Sequence, residues 1–178
     1  MIVVLDTNVV KDPMRELTKL LNDYKPDVVG VSLRNIDLLN PPRYDVDYYK
    51  HFRSMIKLIK KKSPASKIVV GGTGFSIFSK QIMEENKEID FGVVSHGEAT
   101  VADLMRNLGH PEKVKNLLLR DKRGIRFTGR EKRAILNFCL PLPGICLTYR
   151  NTGKHRFQWV FSQNVAALSD AHIVLILS

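Results

Sequence analysis

Four short apolar runs divide the first hundred residues of the chain. They read IVVL at 2–5, DVVGVSL at 27–33, KIVV at 67–70 and FGVV at 91–94. Each run is rich in β-branched residues and nearly continuous in apolar character, which is typical of a strand buried on both faces of a sheet. We therefore predict four internal strands.

Amphipathic helices are predicted between these strands. Asp12-Pro13 supplies an N-cap residue and a favoured first helical position, and Asp45 supplies a second cap. The first helical face is apolar at Met14, Leu17, Leu20, Leu21 and Tyr24, and the second at Val46, Tyr49, Phe52, Ile56 and Ile59. A short helix is expected over 79–88, and another after SHGEAT through about Leu108. This alternation predicts a parallel α/β sheet with helices on both faces, in which ligands bind beyond the carboxyl ends of the strands.

The pattern changes after Gly109. The stretch at 116–129 alternates around a Lys-Arg-Gly turn and predicts a β-hairpin, and LPLPG at 140–144 predicts a rigid connector. Residues 145–178 show neither a clean helix nor a clear strand pair. We therefore expect an α/β domain over 1–109 and a basic, hairpin-containing tail over 110–178.

Charge is concentrated in that tail. The whole chain carries a formal +10, yet residues 1–109 hold 16 Lys and Arg against 14 Asp and Glu, and residues 110–156 hold 12 against 3. A nucleic-acid surface spread over the fold is therefore disfavoured, and a solvated or partner-facing basic segment is favoured.

The cysteine count and the hydropathy pattern bear on the compartment. Cys139 and Cys146 are the two cysteines and lack CxxC spacing, which favours a reducing cytoplasm. No signal peptide is visible, and no apolar run approaches the roughly 20 residues of a membrane span. We expect a cytoplasmic protein with no membrane partner.

Asp6 raises a separate possibility, because a short strand ending in Asp also opens PIN-domain ribonucleases. Such a nuclease needs several carboxylates converging on its metal ions. The candidates here are Asp6, Asp37, Glu98, Asp103 and Asp121. No late strand carries an acidic pair, so we treat the nuclease as an alternative.

Five sequence blocks carry a more extensive resemblance. In chain order they read LDTNVVKDP, YKPDVVGVSLRNID, NPPRYDVDYYKHF, KIVVGGTGFSIF and the GE of SHGEAT. Together they resemble the cobalamin-binding domain at the N-terminus of cobalamin-dependent radical SAM enzymes, over about residues 3–108. The resemblance implies a flavodoxin-like, Rossmann-like fold and cobalamin as the cofactor. It also implies that Asp6 serves loop hydrogen bonding and helix capping, and not metal ligation.

The resemblance implies a set of cofactor-binding residues in three loops. They are Ser32, Leu33, Arg34 and Asn35; Gly71, Gly72, Thr73, Gly74 and Phe75; and Gly97 and Glu98. Glycines let a backbone approach a ligand closely, and hydroxyls can bond to its amides. Other interpretations stay open: the glycines can form a tight turn, Phe75 can fill the core, and Glu98 can favour a helix N-terminus.

The chain differs from this family in two features, the first strand of the sheet and the histidine motif that ligates cobalt. The family has a strand and a helix before the strand that ends in Asp6, so we expect an N-terminally incomplete sheet with a gap. The apolar AHIVLIL at 171–177 has the composition of a substitute strand. Its Asp170-Ala171-His172 lacks the glycine of a D-x-H-x-x-G motif, so we interpret it as chance and expect cobalamin to bind without a protein histidine on cobalt.

The chain also lacks the cysteine motif of radical SAM catalysis. A 4Fe–4S cluster of that type needs three thiolates in a CxxxCxxC motif, so no iron–sulfur cluster is expected here. The sequence thus favours a cobalamin-binding domain that is not catalytic by itself and has a radical SAM domain or subunit as a possible partner. The alternatives are the nuclease and a non-catalytic interaction module that uses its basic tail.

Overall fold

A computed structural model describes residues 2–7, 9–34, 48–95, 97–122, 124–130, 139–142, 145–148 and 173–177. Within these ranges the chain forms nine strands, which are β1 (Ile2–Asp6), β2 (Val28–Ser32), β3 (Lys67–Gly71), β4 (Phe91–Val93), β5 (Leu117–Asp121), β6 (Gly124–Phe127), β7 (Cys139–Leu142), β8 (Ile145–Thr148) and β9 (Ile173–Leu177). Seven of them form one sheet in the order β1-β9-β2-β3-β4-β5-β6, and β7 and β8 form a two-stranded sheet. No helix within these ranges is long and apolar enough to cross a membrane.

The four predicted strands all belong to the large sheet. They are β1 (Ile2–Asp6), β2 (Val28–Ser32), β3 (Lys67–Gly71) and β4 (Phe91–Val93). β2 pairs in parallel with β3, and β3 with β4. The apolar runs therefore predicted all four strands, and β2, β3 and β4 are internal as expected, whereas β1 is the outermost described strand on its side of the sheet.

Helices connect these strands. They are α1 (Pro13–Tyr24), α2 (Tyr48–Lys62), α3 (Thr73–Ile77), α4 (Ser79–Glu85) and α5 (Gly97–Arg106), followed by a 3₁₀ turn at Pro111–Lys113. Asp12 caps α1 as predicted, because its Oδ1 accepts a hydrogen bond from the Arg15 amide at 3.0 Å. Lys25, at φ 43°, ends the same helix. The predicted cap of α2 at Asp45 lies outside the described residues, and α3 was not predicted.

The two faces of the sheet belong to different apolar clusters. Val29, Val31, Ile68 and Val70 pack with residues of α1, α2 and α4, whereas the alternate residues Val28 and Val69 pack with Leu104 of α5. Successive side chains of a strand point to opposite faces. The expected helices on both faces are thereby confirmed.

The C-terminal strand β9 (Ile173–Leu177) fills the expected gap in the sheet. It lies between β1 and β2 and pairs antiparallel with both, Leu175 facing Val4 on one side and Gly30 on the other. The proposed substitute strand is therefore confirmed. Its direction makes the sheet mixed, whereas the sequence predicted a wholly parallel one.

The predicted hairpin is also confirmed, and it extends the same sheet. β5 (Leu117–Asp121) pairs antiparallel with β4 and with β6 (Gly124–Phe127). The chain divides into a unit of Met1–Arg130 with Asp170–Ser178 and a unit of Glu131–Ser169. The first unit thus includes the hairpin that the sequence analysis placed in the tail.

One prediction in the second unit is wrong. The rigid connector at 140–144 instead contributes to β7 (Cys139–Leu142), which pairs antiparallel with β8 (Ile145–Thr148). Pro141 lies in β7, and a proline is tolerated in such a two-stranded sheet because each strand leaves one side unpaired. The proline content favoured a connector and obscured a short hairpin.

Candidate functional site

The carboxyl ends of β2, β3 and β4 lie at one edge of the sheet, as predicted from their parallel direction. We call the segments Ser32–Arg34, Gly71–Thr73 and Val94–Ser95 the carboxyl edge. Ser32 faces Gly71 in the β2–β3 register, and the Leu33 amide donates to the Gly71 carbonyl at 2.8 Å. The first two segments are therefore tied together directly.

Gly72 lies at a point of this edge that leaves no room for a side chain. Its φ of +102° lies in a region that L side chains rarely adopt. A Cβ placed there would lie 2.5 Å from the Leu33 carbonyl oxygen and 2.9 Å from Ser32 Oγ. The structure therefore assigns to this glycine the tight-turn role that the sequence analysis left open.

The third segment is joined to the other two through α3. The Ser95 amide donates to Ser76 Oγ at 3.1 Å, and Ser76 Oγ donates to the Gly72 carbonyl at 2.8 Å. The Phe75 amide donates to the Leu33 carbonyl at 3.1 Å. These bonds fix the loops after β2, β3 and β4 relative to one another, so the edge is a defined surface.

The predicted site residues differ in their accessibility. Arg34 and Thr73 are exposed; Ser32, Gly71, Gly72 and Gly97 are half-buried; Leu33, Gly74 and Phe75 are buried. Gly97 begins α5. Asn35 and the side chain of Glu98 lie outside what the structure describes.

Phe75 lies in the core and not at the surface of the edge. Its side chain is fully buried and lies against Gly92 of β4, where an added Cβ would meet Phe75 Cζ at 2.5 Å. Leu33 is equally buried. Both side chains therefore lie in the core, and the Phe75 amide bonds to the Leu33 carbonyl at the edge. Sequence reasoning missed Gly92, although a glycine inside a buried strand signals a close neighbour.

Within the part of the chain that the structure describes, Asp6 belongs to no cluster of potential metal ligands. Among the residues that the structure describes, no three His, Cys, Asp or Glu side chains could together hold a metal ion. The Asp6 carbonyl accepts from the Val9 amide at 3.4 Å, and Asp12 provides the helix cap that the resemblance had allowed for Asp6. Asp103 pairs with Arg106 and Asp121 with Arg126, and Asp37 lies outside the described ranges.

Tyr49, Glu85 and Glu112 have shifted pKa values. Burial raises the pKa of Tyr49, and its hydrogen bond to Glu85 adds to the effect. The hydrogen bond from Tyr49 lowers the pKa of Glu85, with a further contribution from Gln81. The pKa of Glu112 is lowered mainly by a hydrogen bond from its own backbone amide. The described part of the carboxyl edge contributes hydroxyls, amides and one exposed guanidinium, which are groups that can bind a polar ligand.

Comparison with known proteins identifies one domain in this chain. The B12 binding domain family matches residues 2–105. No curated protein matches the chain. Two solved structures of TsrM, a radical S-adenosylmethionine methyltransferase from Kitasatospora setae, share its fold at 24% identity. One holds cobalamin and a 4Fe-4S cluster (TM-score 0.59), and the other holds tryptophan substrate and a SAM analogue (TM-score 0.58). The matches cover 67% and 66% of this chain but 22% of each TsrM chain.

Proposed function

This chain belongs to the B12 binding domain family, and from that premise we propose that it holds cobalamin at its carboxyl edge and acts beside a radical SAM domain or subunit. The joined loops after β2, β3 and β4 carry this proposal. They lie where a sheet of this type binds its ligands.

The chemistry of the edge fits cobalamin. The corrin ring carries peripheral amides, and the nucleotide tail carries a phosphodiester. Ser32 and Thr73 supply hydroxyls that can donate to or accept from amides, and the exposed Arg34 supplies a cation for the phosphate. Gly71 and Gly72 leave the middle of the edge without side chains. Phe75 and Leu33 contribute by holding these loops in place.

The cysteine content supports a separate catalytic unit that would supply the iron–sulfur cluster. The chain has two cysteines, whereas the radical SAM cluster motif has three. When bound, cobalamin supplies a cobalt centre suited to alkyl transfer. The residues of this chain bind and orient it, and a catalytic partner would supply the cluster and the substrate. We therefore propose that the chain is not catalytic by itself.

Retention of hydroxocobalamin tests the binding proposal. Purified protein is mixed with hydroxocobalamin, passed through a desalting column and examined by absorption spectroscopy. We expect the cobalamin bands to elute with the protein at close to one equivalent. Complete separation of the two would overturn the proposal and return the nuclease and the interaction module to consideration.

A pair of matched variants locates the site. Thr73 is exposed at the start of α3, and Lys80 is exposed on α4. Thr73→Trp should obstruct the carboxyl edge and weaken retention at least tenfold with an unchanged melting temperature, because no core contact is altered. Lys80→Trp should leave retention unchanged. Equal retention by both variants would place cobalamin elsewhere on the chain.

A further inference from the structure

Ser76 lies outside the carboxyl edge and bonds to two of its three segments. It belongs to α3, and its side chain is half-buried. Its Oγ donates to the Gly72 carbonyl at 2.8 Å and accepts from the Ser95 amide at 3.1 Å. One hydroxyl therefore links the turn after β3 to the segment after β4.

The bonds of this hydroxyl indicate how it acts. A serine hydroxyl has one proton to donate, and that of Ser76 is directed at Gly72. The Gly72 carbonyl also accepts from the Ser76 amide at 2.9 Å, so both bonds hold the turn at the start of α3. With its proton in use, the hydroxyl cannot donate to a cofactor, and its effect on a ligand passes through the residues that it holds.

Ser95 has a backbone conformation that needs such support. Its φ of 73° lies in the left-handed region, which costs energy in residues that carry a Cβ. The residue before it is already fixed, because the Val94 amide donates to the Asn116 carbonyl at 2.9 Å. The bond to Ser76 then fixes the Ser95 amide itself. Conformations of this kind persist where surrounding contacts determine them, and they cluster at ligand sites.

We propose that Ser76 is a positioning residue of the carboxyl edge, whose hydroxyl holds Ser95 in its left-handed conformation and thereby sets the segment after β4 against bound cobalamin. This inference rests on the proposed cobalamin site. Without the hydroxyl, the Ser95 amide loses its Ser76 acceptor, and the strained conformation loses a bond that offsets its cost. Cobalamin must then order the segment as it binds, and ordering a loop on binding lowers the affinity.

The dissociation constant for hydroxocobalamin, measured by equilibrium dialysis of the full chain, tests the proposal. Ser76→Ala should raise this constant at least tenfold and keep a cooperative thermal melt. Ser76→Thr retains a hydroxyl that can bond to the carbonyl four residues earlier, so it should bind within threefold of wild type. Ser54→Ala is the matched control, because Ser54 Oγ on α2 also donates to the carbonyl four residues earlier, that of Lys50, at 3.0 Å. It should leave the constant unchanged.

Two outcomes of this measurement separate the inference from the proposed function. Wild-type affinity in Ser76→Ala would overturn the positioning role and leave the cobalamin site standing. A wild-type chain that does not bind hydroxocobalamin would overturn both.

Amide hydrogen exchange, followed by NMR without cobalamin, distinguishes positioning from a general loss of stability. In Ser76→Ala, exchange at the Ser95 amide should accelerate at least tenfold. Exchange at the Leu33 amide, which bonds to the Gly71 carbonyl across the same edge, should change less than twofold. Equal acceleration at both amides would overturn the positioning role. If Ser76→Ala fails to fold, Ser76→Cys takes its place with the same expectations, because a thiol is a weak donor and a weak acceptor.

Discussion

The two halves of the large sheet are assembled in different ways. From β2 to β4, neighbouring strands follow one another in the chain, run parallel and are joined by helices that pack on the sheet. From β1 to β2, the sheet is closed by β9, which comes from the far end of the chain and runs against both neighbours. The first half is built from local units, and the second depends on one distant strand.

This difference implies different vulnerabilities. In the β2–β4 half, loss of one contact leaves helices and neighbouring strands in place. In the β1–β2 half, β9 is the described strand with which β1 pairs, so its loss separates β1 from the sheet and opens two unpaired edges. We therefore expect the largest loss of stability when β9 is removed, and smaller losses when single residues of the β2–β4 half are changed.

Removal of β9 should have the largest effect. A chain ending at Ser169 loses every backbone pair that joins β1 to β2. We expect destabilisation of about 5 kcal/mol or more, equivalent to a fall in melting temperature of roughly 10–20 °C for a chain of this size. Circular dichroism melts would show the loss, and a chain ending at Leu177 is the control.

Complementation separates the strand pairing from other effects of truncation. A synthetic peptide of residues 170–178 added to the shortened chain should restore much of the melting temperature, and a scrambled peptide should not. A shortened chain that melts cooperatively at the wild-type temperature would remove the distinction between the two halves.

Gly72 offers the next largest effect, on the β2–β4 side. Gly72→Ala places a Cβ 2.5 Å from the Leu33 oxygen at a φ of +102°. Gly124→Ala is a matched control, because its φ is +116° and nothing lies within 4 Å of the added atom. Backbone strain alone should cost about 1–2 kcal/mol at Gly124, and the clash should bring the cost at Gly72 to about 3–4 kcal/mol. Urea unfolding measures both, and equal costs would contradict the close approach.

Arg120, on β5 beside the β2–β4 half, should have a smaller effect. Its guanidinium donates to the carbonyls of Met83 and Asn86 at the end of α4, and its Nε donates to the Ile89 carbonyl. Hydrogen bonds from a charged group contribute about 1.5–3 kcal/mol, so Arg120→Met should destabilise by about 2–3 kcal/mol.

Arg106→Met is the matched control for Arg120. Arg106 makes an exposed pair with Asp103, three residues away on α5, and such pairs contribute less than about 1 kcal/mol. Similar unfolding free energies for the two variants would mean that Arg120 does not anchor β5 to α4.

The two halves of the sheet also differ in how well the sequence predicts them. The strands at 2–5, 27–33, 67–70 and 91–94 and the Asp12 cap were predictable because their signals are local. The residues at 171–177 revealed a strand by composition, but its antiparallel direction depends on β1 and β2, which are distant in the chain. Within the site, the shared edge was predictable from parallel topology. The burial of Phe75 was one of the two interpretations that the sequence left open, and the space that it fills depends on the missing side chain at Gly92.

The smallest expected effect concerns the bond between α2 and α4. Tyr49 donates to Glu85 at 2.5 Å and accepts from Asn86 at 3.1 Å. The pKa of Glu85 is lowered below its ordinary 4.5, so the bond's contribution is present above pH 4.5 and is lost as pH falls through the lower folded-state value. The pKa of Tyr49 is raised above 10.0, so its contribution is present below pH 10 and is lost as pH rises through the higher folded-state value.

Tyr49→Phe should therefore reduce stability slightly near neutral pH and flatten both ends of its pH dependence, as measured by urea unfolding from pH 3 to 11. The change should be small because Glu85 is solvent-exposed and water competes for its carboxylate. Tyr24→Phe, at the margin of the same core, is the control for the loss of a tyrosine hydroxyl. An unchanged pH profile for Tyr49→Phe would mean that α2 and α4 are held together by their apolar contacts with the sheet, as the rest of the β2–β4 half is.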